Sequence, residues 1–291
     1  MSKACPPTIA LFGAGKNIGI PIVKAFVDIN SPILVIARPT SDLSALPKSN
    51  LVTVARVDTT SVSSVAGILR DNRIDVLISG VSYIKGGVDA QVAVARASRN
   101  AGVKLFLPSE FGIPTGGGTD PMPKAKSDFA EYLKSIGLPS LRIYCGQFHH
   151  SIPWLSAVDE TGTFYIVGKG TTPQSYTAVS DVAGYVAHVL TTQTLSNLFD
   201  IELRIEGQRA TLVELGALYS GTATVEHVQA LPRKDMYYSE VREYLQNNGD
   251  RGIGSSGWDW ASGTDDENRA SSGNAFWSGH RWLTAKEVLR L

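Results

Sequence analysis

The chain has 291 residues, 43% hydrophobic and 19% charged, with 27 Lys+Arg balancing 27 Asp+Glu. That is enough apolar material for one large α/β domain, or for a core domain with a smaller second lobe. Zero net charge leaves no basic footprint for nucleic acid or a membrane surface, and no run of about 18 apolar residues predicts a membrane span.

The amino terminus, Met-Ser-Lys-Ala-Cys-Pro-Pro, lacks a signal-peptide pattern. The two cysteines, Cys5 and Cys145, are not expected to pair, so a reducing, cytoplasmic location is expected. Short apolar runs then alternate with helical patterns. Strands are predicted over 8–12, 33–37, 51–54, 76–79, 103–107 and 140–144, with helices near 18–28, 61–70, 88–101 and 126–136. This alternation predicts a Rossmann-type, doubly wound parallel sheet whose ligands lie at the C-terminal strand ends. Residues 1–148 are read as the nucleotide-binding domain, with segments near 175–205 rejoining its sheet. Residues 149–291 are read mostly as a smaller C-terminal substrate-binding lobe and lid.

The second half is less regular. A helix is expected from 179 to about 190, capped by Ser180 or Asp181, then a strand near 198–205, a helix from Thr211 and another over about 234–246. Residues 247–281 are rich in Gly, Ser, Asn and Asp but carry Trp258, Trp260, Phe276 and Trp277. Those aromatics suggest a segment docked on the body, as a lid, a small lobe or simple packing. Thr284 and Glu287 have capping-box spacing for a short final helix.

Gly13, Gly15 and Gly19 follow the first strand, in Leu-Phe-Gly-Ala-Gly-Lys-Asn-Ile-Gly. Glycines there permit a tight turn and let backbone approach a pyrophosphate at a helix N-terminus, with Asn17 and Ile18 in the same loop. The spacing departs from the common fingerprint, and Lys16 either reaches a phosphate or obstructs it. Arg38 follows the second strand where an NAD-selective site would place an acid. An arginine there can fork onto a 2′-phosphate, with Thr40 and Ser41 adding hydroxyls, so NADPH is favoured. Asp58 borders the adenine or caps a helix entry, and Ser79, Gly80 and Val81 line the cofactor path.

At 103–112 an apolar strand breaks into Leu-Pro-Ser-Glu-Phe-Gly, and after a glycine-rich loop come Lys124 and Lys126. The run at 107–112 closely resembles a signature of the NmrA-like and isoflavone-reductase-like proteins, atypical short-chain dehydrogenase relatives that bind NADPH. The segment from Lys126 through Gly137-Leu138-Pro139 resembles the family's lysine-opened helix. That resemblance implies Lys126 as catalytic general acid/base, with Lys124 as the competitor. Arg-Pro-Thr at 38–40 is similar to the family's Arg-Pro-Ser. Gly146, Gln147 and Phe148 loosely match a loop that brackets the nicotinamide. Tyr83, Ser109, Glu110, His149, His150 and Trp154 are candidates for the substrate side, Glu110 as an orienting group and one histidine as a second acid/base. No metal site is expected, because no carboxylate or thiol accompanies the histidine pair at ligand spacing. Tyr165 and Lys169 have the Tyr-x-x-x-Lys spacing of standard short-chain dehydrogenases, but they lie on a strand entering a glycine turn and are discounted.

The resemblance implies an NADPH-dependent reductase of a small, aromatic or polycyclic secondary metabolite, reducing a polarised C=C, C=N or C=O. The alternatives are a non-catalytic NADP(H) redox sensor with a protein partner, and a cofactor-binding enzyme of imine or cyclisation chemistry. The expected partner is a small molecule, with a homodimer left open.

Overall fold

A computed structural model describes residues 6–82, 87–232 and 238–291. The chain divides into two compact units. The first comprises residues 1–110, 115–143 and 182–203; the second comprises 111–114, 144–181 and 204–291.

The first unit begins with β1 (Ile9–Phe12), α1 (Gly19–Asp28), β2 (Ile33–Ala37), β3 (Val52–Arg56), α2 (Val62–Asp71) and β4 (Val76–Ser79). It continues through α3 (Gly87–Ala101), β5 (Leu105–Leu107), α4 (Pro121–Ser135) and β6 (Leu141–Tyr144). β3-β2-β1-β4-β5 form a parallel sheet in that order. Every residue of β1, β2, β4 and β5 is buried, which is why these strands read as unbroken apolar runs. β3 is an edge strand and stays half exposed. The order reverses between β1 and β4, and such a switch point opens a crevice at the strand ends. This is the Rossmann-type arrangement expected from the sequence. β6 meets the sheet only at a bridge from Phe106 to Ser140, and pairs instead with β10 (Ile201–Arg204).

α4 starts at Pro121, earlier than the expected 126. Proline at the first helical position loses no hydrogen bond and presets φ, so the helix nucleates there. Lys126 therefore lies in the helix interior, beyond the reach of the N-terminal dipole.

The second unit contains β7 (Gln147–Phe148), α5 (Ile152–Leu155), α6 (Val158–Thr161), β8 (Thr163–Val167) and β9 (Gln174–Thr177). α7 (Val179–Thr192) follows and runs mostly through the first unit, with Ser180 and Asp181 inside its first turn rather than before it. The Asp181 carboxylate accepts from the Leu283 N–H at 2.8 Å. β11 (Gln208–Ala210), α8 (Leu212–Ala217), β12 (Thr224–Val228) and α9 (Ser239–Asp250) come next. Two short helices, α10 (Glu267–Ala270) and α11 (Ala285–Leu289), end the chain. β9 lies between antiparallel β11 and parallel β7, and β8 pairs in parallel with β12. Reciprocal capping boxes open α8 at Thr211/Glu214 and α11 at Thr284/Glu287. Residues 252–258 are buried. Ser256 donates to Ser175 on β9 at 2.9 Å, and Arg204 donates to the Ser256 carbonyl at 2.8 Å. This glycine-rich stretch is thus interior to the second unit.

Among the described residues no helix is long and apolar enough to cross a membrane. Cys145 is buried, its thiol donating to the Gly146 carbonyl at 3.8 Å; Cys5 lies outside the described residues.

Candidate active site

β1 ends at Phe12, and Gly13 turns the chain with φ +90°. A Cβ on Gly80 would lie 2.8 Å from the Gly13 carbonyl oxygen, and one on Gly19 would press still closer to the same atom. Three glycines thus let the β1 loop, the first turn of α1 and the end of β4 meet at backbone contact. Gly15 faces open space. α1 has no side-chain cap at Ile18, but within its first turn Ile20 and Ile22 donate to the Gly15 and Ile18 carbonyls and Pro21 has no N–H, so an anion would meet little there beyond the Gly19 N–H.

Beside these glycines lies a cleft of about 410 Å³. Of the residues the sequence suggested for the cofactor, Gly13, Gly15, Arg38, Ser41, Gly80 and Val81 line it. A slot that side chains would fill, with a cation at one end, fits a dinucleotide bearing an extra phosphate. Ala14, Asp42, Leu43, Thr59 and Ser82 also line it and were not foreseen. Thr59 and Ser82 follow strand ends, which was the available signal.

Lys16, Asn17 and Thr40 are exposed and do not line the cleft. The Asp42 carboxyl is held below its ordinary range, first by the Ser44 backbone N–H, then by the Ser44 hydroxyl, and last by nearby Lys16. Asp58 does not line the cleft either: it accepts from the Thr60 N–H (2.9 Å) and hydroxyl (2.7 Å) in an Asx turn. The cap of α2 is Ser61. Ser79 is buried at the end of β4, its hydroxyl without a hydrogen-bond partner. Tyr83 lies outside the described residues.

At the end of β5, Ser109 is committed to structure. Its N–H donates to Gln91 Oε1 at 3.0 Å, and its hydroxyl donates to the carbonyl of cleft-lining Val81 at 2.7 Å. Glu110 follows, 3% exposed. Thr115 donates to its Oε1 at 3.2 Å, while Lys126 Nζ donates to its carbonyl at 2.5 Å and lies 3.9 Å from Oε2. Burial pushes the Glu110 carboxyl up; Lys126, Arg142 and the Thr115 hydroxyl pull against this, and Glu202, ion-paired to Arg142 at 2.5 Å, adds to it.

The two candidate lysines separate clearly. Lys124 pairs with Asp128 on the surface and its side chain is 58% exposed, whereas that of Lys126 is 11% exposed. A largely desolvated ammonium held by a carbonyl and a buried carboxyl is suited to giving or taking a proton.

The remaining candidates belong to the second unit. Gly146 takes φ +65° against the Ser175 carbonyl, where a Cβ would clash. Phe148 stacks on His150 at 5.3 Å. His149 is fully buried against Tyr176, with neither ring nitrogen hydrogen-bonded. Burial, then neighbouring His150, lowers it to about 4. Trp154 lies under the Arg242 guanidinium, 5.1 Å from its ring centre, and packs into the apolar cluster of this unit. Tyr165 lies on β8, as a strand and not a helix. Among the described residues no three His, Cys, Asp or Glu converge as metal ligands.

The NmrA-like family model matches residues 6–230. The asnovolin J 5′,6′-dehydrogenase of Aspergillus novofumigatus is 24% identical over 223 residues, 71% of this chain and 68% of that protein. Among solved structures, a ternary complex of leucoanthocyanidin reductase from Vitis vinifera superposes with a TM-score of 0.76 at 18% identity, covering 97% of this chain and 98% of that one. An isoflavone reductase does so at 0.77 with 20% identity, covering 98% and 99%. An NADPH-dependent quinone oxidoreductase from Escherichia coli gives 0.71 at 19% identity, covering 97% and 98%. The match to most of the chain, on a fold those structures share, places it in the NmrA-like family.

Proposed function

We propose that the protein is an NADPH-dependent oxidoreductase of a small, aromatic or polycyclic secondary metabolite, with Lys126 as its general acid/base. The observation that carries this reading is Lys126 itself, a nearly buried ammonium anchored on the tip of β5. Ser109 ties that same tip to Val81 on the wall of the glycine-lined cleft. NADPH, when bound, would supply the hydride. The pyrophosphate would rest on the backbone around Gly13 and Gly15, and Arg38 would take the 2′-phosphate. Lys126 would donate a proton to the oxygen, nitrogen or carbon that becomes electron-rich, and would recover it from solvent. Glu110 would hold Nζ in place throughout.

The relatives support this chemistry. A leucoanthocyanidin reductase was solved with NADPH and a related reductase with NADP+ and pinoresinol, while the asnovolin enzyme is named for a dehydrogenation. The same groups serve either direction, because the proton carrier of reduction is the base of oxidation.

The test is titration of the protein with NADPH and NADH, then a turnover screen of aromatic enones, imines and carbonyls. NADPH should be preferred. Lys126→Ala should lose about 10²- to 10⁴-fold in turnover while still binding NADPH, and Lys124→Ala should keep its turnover. Binding of neither nucleotide would overturn the reading. Retained binding with no turnover on any substrate would favour a redox sensor.

A further inference from the structure

We infer that Arg56, which lies outside the cleft, positions the loop that would recognise the 2′-phosphate and so sets the preference for a phosphorylated ribose. The inference rests on the NADPH reading and deepens it. Arg56 is the last residue of β3 and stands in register beside Ala37, the last residue of β2. The Val57 N–H donates to the Ala37 carbonyl at 2.9 Å, which locks this alignment. The guanidinium is thereby set under the loop that begins at Arg38.

Arg56 Nη1 donates to three main-chain carbonyls of that loop: Arg38 at 3.2 Å, Pro39 at 2.7 Å and Ser41 at 3.1 Å. Two N–H bonds are shared among three acceptors, so the guanidinium acts as a hub. The Arg38 carbonyl also accepts the Ser41 N–H at 3.1 Å, closing a turn.

In a trans peptide the C=O and N–H point in opposite directions. Turning the Pro39 and Ser41 carbonyls onto Arg56 therefore turns the N–H groups of Thr40 and Asp42 away from it. Arg38, Ser41 and Asp42 line the cleft from this loop. The acceptors that would repel an anion are thus neutralised on one side, and of the two N–H groups that of cleft-lining Asp42 is left for the other. That is the logic of a backbone anion nest, here imposed by a side chain 15 to 18 residues away. Arg38 can fork onto a phosphate only if its own backbone is fixed, and Arg56 fixes it.

The probes are 2′,5′-ADP and 5′-AMP, which differ by the 2′-phosphate, titrated calorimetrically into wild type, Arg56→Gln and Arg56→Lys. Arg56→Gln is expected to bind 2′,5′-ADP about tenfold more weakly, with 5′-AMP affinity unchanged. Arg56→Lys keeps the charge but loses the planar fork and should fall between. It also carries the test if Arg56→Gln fails to fold. Unchanged 2′,5′-ADP affinity in Arg56→Gln overturns the inference, and so does wild-type affinity in Arg56→Lys, which would leave only a remote charge effect. A wild type that does not distinguish the two probes means instead that the NADPH reading is wrong, and the inference falls with it.

Discussion

In the first unit the buried residues around the sheet are almost all apolar, from Ala10 and Phe12 through Leu34, Ile36 and Leu77 to Phe106 and Phe129. Among the described residues of that unit, the buried side chain of a charged residue type is Glu110, at the candidate site. The second unit buries Asp181, Arg204, Arg242 and His149, with Gln174, Gln246, Ser175 and Ser256 among them. Arg242 holds Glu160 through two hydrogen bonds, and Gln246 donates to the Leu155 carbonyl at 2.8 Å and accepts from the Val167 N–H at 2.8 Å. A buried charge therefore means different things in the two regions. In a unit held by backbone ladders and apolar packing it marks chemistry. In the unit of short strands and helices Asp181, Arg204 and Arg242 are staples, paired with Leu283, Ser256 and Glu160 far away in sequence, while His149 is buried without a partner.

That contrast can be broken by substitution. The largest structural effect is expected from Arg242→Ala, which removes the cation over Trp154 and frees Glu160. It should cost about 3 kcal/mol in urea unfolding, the lower end for a broken buried pair because Glu160 is partly exposed. A cost near zero would mean the staples of the second unit are dispensable. Gly19→Ala should follow: its Cβ meets the Gly13 carbonyl, so the loop must shift, costing about 1–3 kcal/mol. It should weaken NADPH binding by more than its effect on stability explains. Equal cofactor affinity in the variant would remove the glycine contact from the site.

At neutral pH the smallest effect is that of His149, which shows only in acid. It is lowered from the ordinary 6.5 to about 4 in the folded protein, so both states are neutral above about pH 6.5 and no penalty exists there. As pH falls from 6.5 towards 4 the unfolded chain gains a proton that the folded one refuses. Stability is then lost at up to about 1.4 kcal/mol per pH unit. His149→Phe should flatten that part of the stability–pH curve, measured by unfolding at a series of pH values. An unchanged slope would place the acid sensitivity elsewhere.

The sequence by itself determined the first unit's elements and the floor of its cleft. The apolar runs of β1, β2 and β4, the glycines at 13, 15 and 19, and Arg38 after β2 are local patterns, each set within a few residues by strand burial or turn geometry. The capping box at Thr284 and the helix start at Thr211 were legible for the same reason, since a cap acts over three residues. β9 and β12 were not expected, because polar Gln174, Ser175 and Thr177 are buried by distant partners and β12 is mostly exposed. Only tertiary structure separated Lys126 from Lys124, two residues apart: one helix face turns to Glu110 and the other to water. It alone brought Arg56 under the loop at Arg38 and buried His149 against Tyr176. Burial and long-range pairing decide what a titratable side chain can do, and neither is written in the residues beside it.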